Sequence, residues 1–229
     1  MSNDRYMKNI AAIQNFRLKN PGSAFTHGFG CIFSVLATYV LLEKTASRRG
    51  ISGVMALGIF MFSMIFLYGA STLYHSLNIN PSVNCRLRKM DHMMIFSLIA
   101  GTYTPVCTLV IGGKVGTILC TIIWVMALVG MVIKGICITC PKWFSSAIYI
   151  VMGWLIIVSF PWFWPVLSNL AFRWLFAGGV IYTMGGIIYA LRPSAFNRRH
   201  PYFGSHEIFH LFVIGGSFCH YIMMYLYVV

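Results

Sequence analysis

Acidic side chains are nearly missing from this 229-residue chain, in which four Asp and Glu stand against 17 Lys and Arg. Charged residues of either sign make up only 9%, while 59% of the chain is hydrophobic. So little charge excludes a water-soluble domain of this size. The N-terminus, MSNDRYMKNIAAIQNFRLKN, has no apolar core followed by a small-residue cleavage site, and so does not read as a signal peptide. A disulfide framework is lacking too. The seven cysteines (31, 85, 107, 120, 137, 140 and 219) mostly lie in apolar stretches and read as small buried hydrophobes. Cys137 and Cys140 form a single CxxC, with no second pair to complete a four-ligand structural metal site. The +13 charge balance fits basic loops beside anionic lipid headgroups, with no nucleic acid as partner.

What the chain does have is long apolar runs. Crossing the hydrocarbon core takes about 20 mostly apolar residues in a self-satisfied helix. Seven stretches qualify, near residues 25–43, 53–75, 91–111, 115–136, 144–160, 170–191 and 206–228. The expected fold is therefore all-α, a seven-helix membrane bundle over residues 25–229. A polar segment, 1–24, precedes it, and its basic stretch 5–19 suits a short helix on the membrane surface. The breaks are KTASRRG, NINPSVNCRLRK, IGGK, TCPKW, the PWFWP turn and RPSAFNRRHPYFGS. Sorting the basic residues by alternate loops puts Arg5, Lys8, Arg17, Lys19, Arg86, Arg88, Lys89, Lys134, Lys142, Arg192, Arg198 and Arg199 on one side. Lys44, Arg48, Arg49, Lys114 and Arg173 fall on the other. The positive-inside rule then places the N-terminus in the cytoplasm and the C-terminus outside.

With so few acids, the position of each is informative. Asp4 and Glu43 lie at span edges, whereas Asp91 (in KMDHMM) and Glu207 (in GSHEIFHLF) each adjoin a His where a span begins. Ionisable groups at that depth are costly and are functional candidates by default. His206 and His210 are four residues apart, so both imidazoles share one helix face, one turn from each other. A zinc site needs a third protein ligand at the same depth, and His75, ending the second span, supplies it. Ser71 precedes His75 by one turn, and Asp91 enters from the third span as a candidate general base for a metal-activated water. HEIFH also matches the HExxH pattern of zinc proteases, but Glu207 is rotated by about 100° from His206 on the helix and has no further acidic ligand to work with. His220 is ten residues beyond His210, about 15 Å along the helix, too far to share its metal. An interhelical partner is expected for it, and packing or capping for His27, His92 and His200.

At these residues the sequence resembles the hemolysin III branch of the progestin and adipoQ receptor family. The likeness runs through THGFG (26–30), STLYHS (71–76), MDHMMIFSLIAGTYTP (90–105), GGVIYTMGGIIYAL (178–191) and HEIFHLFVIGGSFCHY (206–221). It implies seven helices around a zinc held by His75, His206 and His210, with Asp91 holding the metal's water, Ser71 as the serine of an SxxxH motif, and an N-in orientation. At the approach to the first span, NPGSAF has less acidic character than the family pattern.

Three function classes fit these residues. The first is a zinc hydrolase of lipid amides or esters, ceramidase-like by resemblance, taking its substrate laterally from the membrane, with a place in membrane lipid homeostasis. The second is a sensor or regulator of membrane lipids in which zinc is structural. The third is a pore-forming cytolysin, which so few interior charges support poorly. The expected location is the bacterial plasma membrane, with the zinc near its cytoplasmic side.

Overall fold

The computed structural model describes residues 18–137, 139–191, 194–200 and 203–229, and they are helical with no strand among them. The surface helix expected at 5–19 and the basic residue Arg192 fall outside, or almost outside, that set.

Helix α1 (Pro21–Ser76) has 56 residues. Straight, it would reach about 84 Å, nearly three times the thickness of a hydrocarbon core. It folds back instead at Gly50, whose φ of 65° and ψ of −160° leave the helical region at a position where a side chain would be strained. The Asn20 amide N–H donates to the His75 carbonyl at 2.9 Å, tying the start of α1 to its end. The two arms are thus an antiparallel pair and make two of the seven passes. Helix α2 (Pro81–Pro105) continues through a π turn, Val106–Ile111, and Gly112 (φ 63°) and Gly113 (φ 56°) separate it from α3 (Gly113–Ile136). Helix α4 (Lys142–Trp154) tightens into a 3₁₀ turn, Leu155–Ser159, and the short α5 (Phe160–Phe163). Helix α6 (Asn169–Leu191), the short α7 (Ser194–Arg199) and α8 (Ser205–Met223), which ends in a π turn at Met224–Val228, complete the chain. Six of these helical stretches are long and apolar enough to cross a membrane, and the doubled α1 brings the passes to seven.

Several of the expected breaks contain helix, RPSAFNRRHPYFGS among them through α7. KTASRRG remains helical up to Gly50, and most of NINPSVNCRLRK is the start of α2. Polar sequence does not end a helix that is capped. Pro81 occupies the first turn, and the Asn80 side chain accepts from the Val83 N–H at 2.9 Å. The PWFWP turn likewise contains α5.

Large apolar side chains such as Phe33, Ile51, Ile136 and Leu191 face outward, as a lipid-facing surface requires. Inside, one cluster built on Phe60, Leu67, Tyr68, Leu98 and Met223 joins α1, α2 and α8 to α6. A second, around Phe96, Tyr103, Ile123 and Met152, joins α2 to α3 and α4. Because α2 belongs to both, it fixes Asp91 relative to the ends of α1 and the start of α8.

Candidate metal centre

His75, on the last turn of α1, and His206 and His210, on the first turns of α8, converge so that one nitrogen from each lies within 4.8 Å of the others. His75 Nε2 and His206 Nε2 are 3.1 Å apart. Tetrahedral Zn–N bonds of about 2.0–2.1 Å would set ligand nitrogens about 3.3 Å apart, so the His75–His206 pair has the spacing of two zinc ligands and His210 is near enough to be the third. The rings of His75 and His210 are nearly edge-on at 5.3 Å, and those of His206 and His210 are 4.5 Å apart.

Two of the three rings are oriented from behind. Thr26 Oγ1 lies 3.0 Å from each of the Gly22 and Ser23 carbonyls and can give its single proton to either, which leaves it to accept from His210 Nδ1, also 3.0 Å away. In that arrangement the His210 proton sits on Nδ1 and Nε2 is left for a metal. Asn20 lies 3.1 Å from His75 Nδ1 through its amide nitrogen. Turning the amide over presents Oδ1 to an Nδ1–H instead, the tautomer in which His75 Nε2 ligates.

Asp91, on α2, is 7% exposed, and its Oδ2 is 3.4 Å from Nδ1 of His92. The carboxylate is within electrostatic reach of His75 and beside Ser71. Ser71 is wholly buried, and its hydroxyl has no partner of hydrogen-bonding geometry among the described residues. A hollow of about 20 Å³ lies between Asp91, His27, His92, His206 and His210. A single water needs about 10–15 Å³ of such space, so the hollow has room for one.

The HExxH reading meets an obstacle in how Glu207 is used. Its Oε2 accepts from the Gly204 N–H at 2.8 Å and its Oε1 from the Ser23 hydroxyl, so it caps α8 and ties it to α1. His92 bonds to the Arg88 carbonyl at 2.9 Å and His200 to that of Phe196 at 3.1 Å, both local helix contacts of the expected kind. His27 is 2% exposed and stacks on His210, rings parallel at 3.6 Å, with neither ring nitrogen bonded among the described residues. His220 differs from expectation. It stacks on Tyr182, yet among the described residues no hydrogen bond satisfies its Nδ1. Asn20 and Thr26 escaped sequence reasoning. Thr26 adjoins His27 in THGFG, a usable signal, whereas nothing links Asn20 to a histidine 55 positions away.

Directly beyond the hollow is a cavity of about 390 Å³ between α2, α4, α6 and α8, sharing with it the walls Leu67, Ile95, Tyr189, Phe209 and Val213. Its size falls within the range of small-molecule sites, and its lining is almost wholly apolar.

An all-α integral membrane protein with a cluster of three histidines and a buried aspartate beside it is thus defined by fold and site. Residues 16–221 match the family described as haemolysin-III related, and the chain belongs to that family. It is 37% identical over 195 residues to "Hemolysin-3" of Bacillus cereus, an alignment covering 85% of each chain. It is 36% identical over 195 residues to the "Hemolysin-3 homolog" of Bacillus subtilis (strain 168), covering 85% of this chain and 87% of that one. A more distant likeness, 25% over 225 residues, links it to the "Adiponectin receptor protein" of Drosophila melanogaster, with 87% of this chain and 48% of that protein aligned.

Proposed function

We propose that this protein is a zinc-dependent hydrolase of lipid amides or esters. One observation carries the reading: a metal-compatible triad, a buried carboxylate and a water-sized hollow adjoin an apolar cavity large enough for an acyl chain. Zinc bound there would supply Lewis acidity and lower the pKa of a water toward 7. Asp91 holds the attacking water by hydrogen bond and takes its proton as the oxygen adds to the acyl carbon. The same proton passes from Asp91 to the leaving nitrogen or oxygen as its bond to that carbon breaks, giving a free acid and an amine or alcohol. Ser71 has an uncommitted hydroxyl beside Asp91, with which it can hold the carboxylate in place. The apolar cavity excludes bulk water and orients the acyl chain.

The proposed setting is a bacterial plasma membrane, N-terminus inside and C-terminus outside, with the site toward the cytoplasm. Basic side chains near the site support that direction: Lys19 lies over the Tyr74 ring at 3.7 Å, and Lys142 over Tyr189 at 4.3 Å. A role in membrane lipid homeostasis follows from such an activity.

The test has two stages. Elemental analysis should find about one zinc per wild-type chain, as one triad predicts, and none in His75→Ala or in the His206→Ala, His210→Ala double variant. Zinc-loaded wild type should then release fatty acid from a panel of lipid amides and esters, and Asp91→Asn should not. A zinc-replete protein that cleaves nothing across the panel leaves the regulatory reading, with its structural zinc, in place of catalysis. That second reading is favoured by the likeness to an adiponectin receptor. Pore formation, suggested by the relatives named hemolysins, predicts dye leakage from liposomes at low protein density; tight liposomes exclude it.

A further inference from the structure

His220 lies deep in the bundle, ten residues past His210 and therefore about 15 Å along α8 from the metal-ligating end. Its side chain lines the apolar cavity and is 5% exposed. The fold makes a place for this ring. Its face stacks on Tyr182 at 5.4 Å, and at Gly178 of α6 a Cβ would stand only 2.7 Å from Nε2, so that close approach depends on glycine.

The ring is seated but not bonded. Its Nδ1 is buried without a hydrogen-bond partner among the described residues. The hydroxyl of Tyr182, the ring that His220 stacks on, is 2.8 Å from Ser217 Oγ, which also accepts from Tyr68 at 2.7 Å. An unpaired polar group in an apolar interior is costly, and native structures tolerate it where something else supplies the bond.

We propose that the cavity selects acyl chains bearing a hydroxyl group partway along their length, and that His220 is the residue that reads it. The proposal rests on the lipid reading of the site above, which places the carboxyl or amide end at His75, His206 and His210. A neutral imidazole has one N–H donor and one acceptor nitrogen, and a hydroxyl is the small group that can serve either. A plain methylene chain fills the same space but leaves the imidazole unpaired. Discrimination of about tenfold is expected from one such hydrogen bond.

The experiment uses the full chain, purified in detergent and loaded with zinc. A fluorescent polyene fatty acid is bound and then displaced by octadecanoic acid and by its isomers carrying one hydroxyl at successive carbons. Wild type should show a peak of about tenfold tighter binding for isomers whose hydroxyl sits about 15 Å from the carboxylate. His220→Phe should flatten that peak while keeping the affinity for octadecanoic acid and the zinc content. Gly178→Ala, which crowds Nε2 without altering His220, should lower the peak and serves if His220→Phe does not fold. A flat profile in wild type, or a peak that survives in His220→Phe, overturns the proposal and leaves the lipid reading standing. Failure of every chain to displace or bind removes the lipid reading itself, and this proposal with it.

Discussion

Removing the Asn20 side chain isolates the effect of what stands behind His75. The Asn20 side chain does not cap α1, although the residue occupies the N-cap position, and its backbone N–H bond to the His75 carbonyl survives truncation. Asn20→Ala therefore removes little except the 3.1 Å contact to Nδ1. Partners behind a ligating histidine typically contribute 10- to 100-fold in metal affinity, so a loss of about 1.4–2.8 kcal/mol is expected. Asn20→Asp should bind zinc at least as tightly as wild type, because a carboxylate accepts only from Nδ1–H and enforces the ligating tautomer. The assay is competition with a chromophoric zinc chelator in detergent. An Asn20→Ala affinity within about twofold of wild type, well short of the expected loss, would refute the idea that this contact orients the ligand.

Glu207→Ala should lower thermal stability by about 1–2 kcal/mol through loss of the α8 cap, while zinc stoichiometry stays unchanged; loss of zinc would restore Glu207 to the metal site. Gly130→Ala puts a Cβ 2.2 Å from the Phe96 ring and should cost about 1–3 kcal/mol in a melting experiment, whereas Gly153→Ala, with open space around it, should be close to neutral. In the loop after α3, a hydrogen bond from Cys140, with Thr139 adding a smaller contribution, holds the Cys137 thiol below its usual pKa. Its thiolate is thus populated at lower pH than an ordinary cysteine's. Cys140→Ala should shift the pH dependence of Cys137 alkylation upward, and an unmoved profile would exclude that hydrogen bond.

Glu207 and His220 show where local sequence misleads. HEIFH places a glutamate between two metal-type histidines, and the pattern alone cannot tell a general base from a cap. The answer lies in Gly204 and in Ser23, 184 residues away. For His220, helical rise separates it from the triad, but the satisfied interhelical partner expected for it is only a stacked ring, Tyr182, and its Nδ1 has no hydrogen bond among the described residues.

By itself the sequence determined the all-α membrane class, because apolar run length and scarcity of charge are local properties that hydrocarbon reads directly. It also determined that His206 and His210 share one helix face, since four-residue spacing is geometry internal to the helix. It placed His75 at a matching depth by counting passes. Only the tertiary structure decided that the His75 and His206 nitrogens approach to 3.1 Å, that Asn20 and Thr26 stand behind the rings, and that an apolar cavity of about 390 Å³ opens near the triad. Those facts depend on how far the arms of α1 close at Gly50 and on the rotation of each helix about its axis. Rotation is set by packing between residues far apart in the chain, which no local pattern encodes.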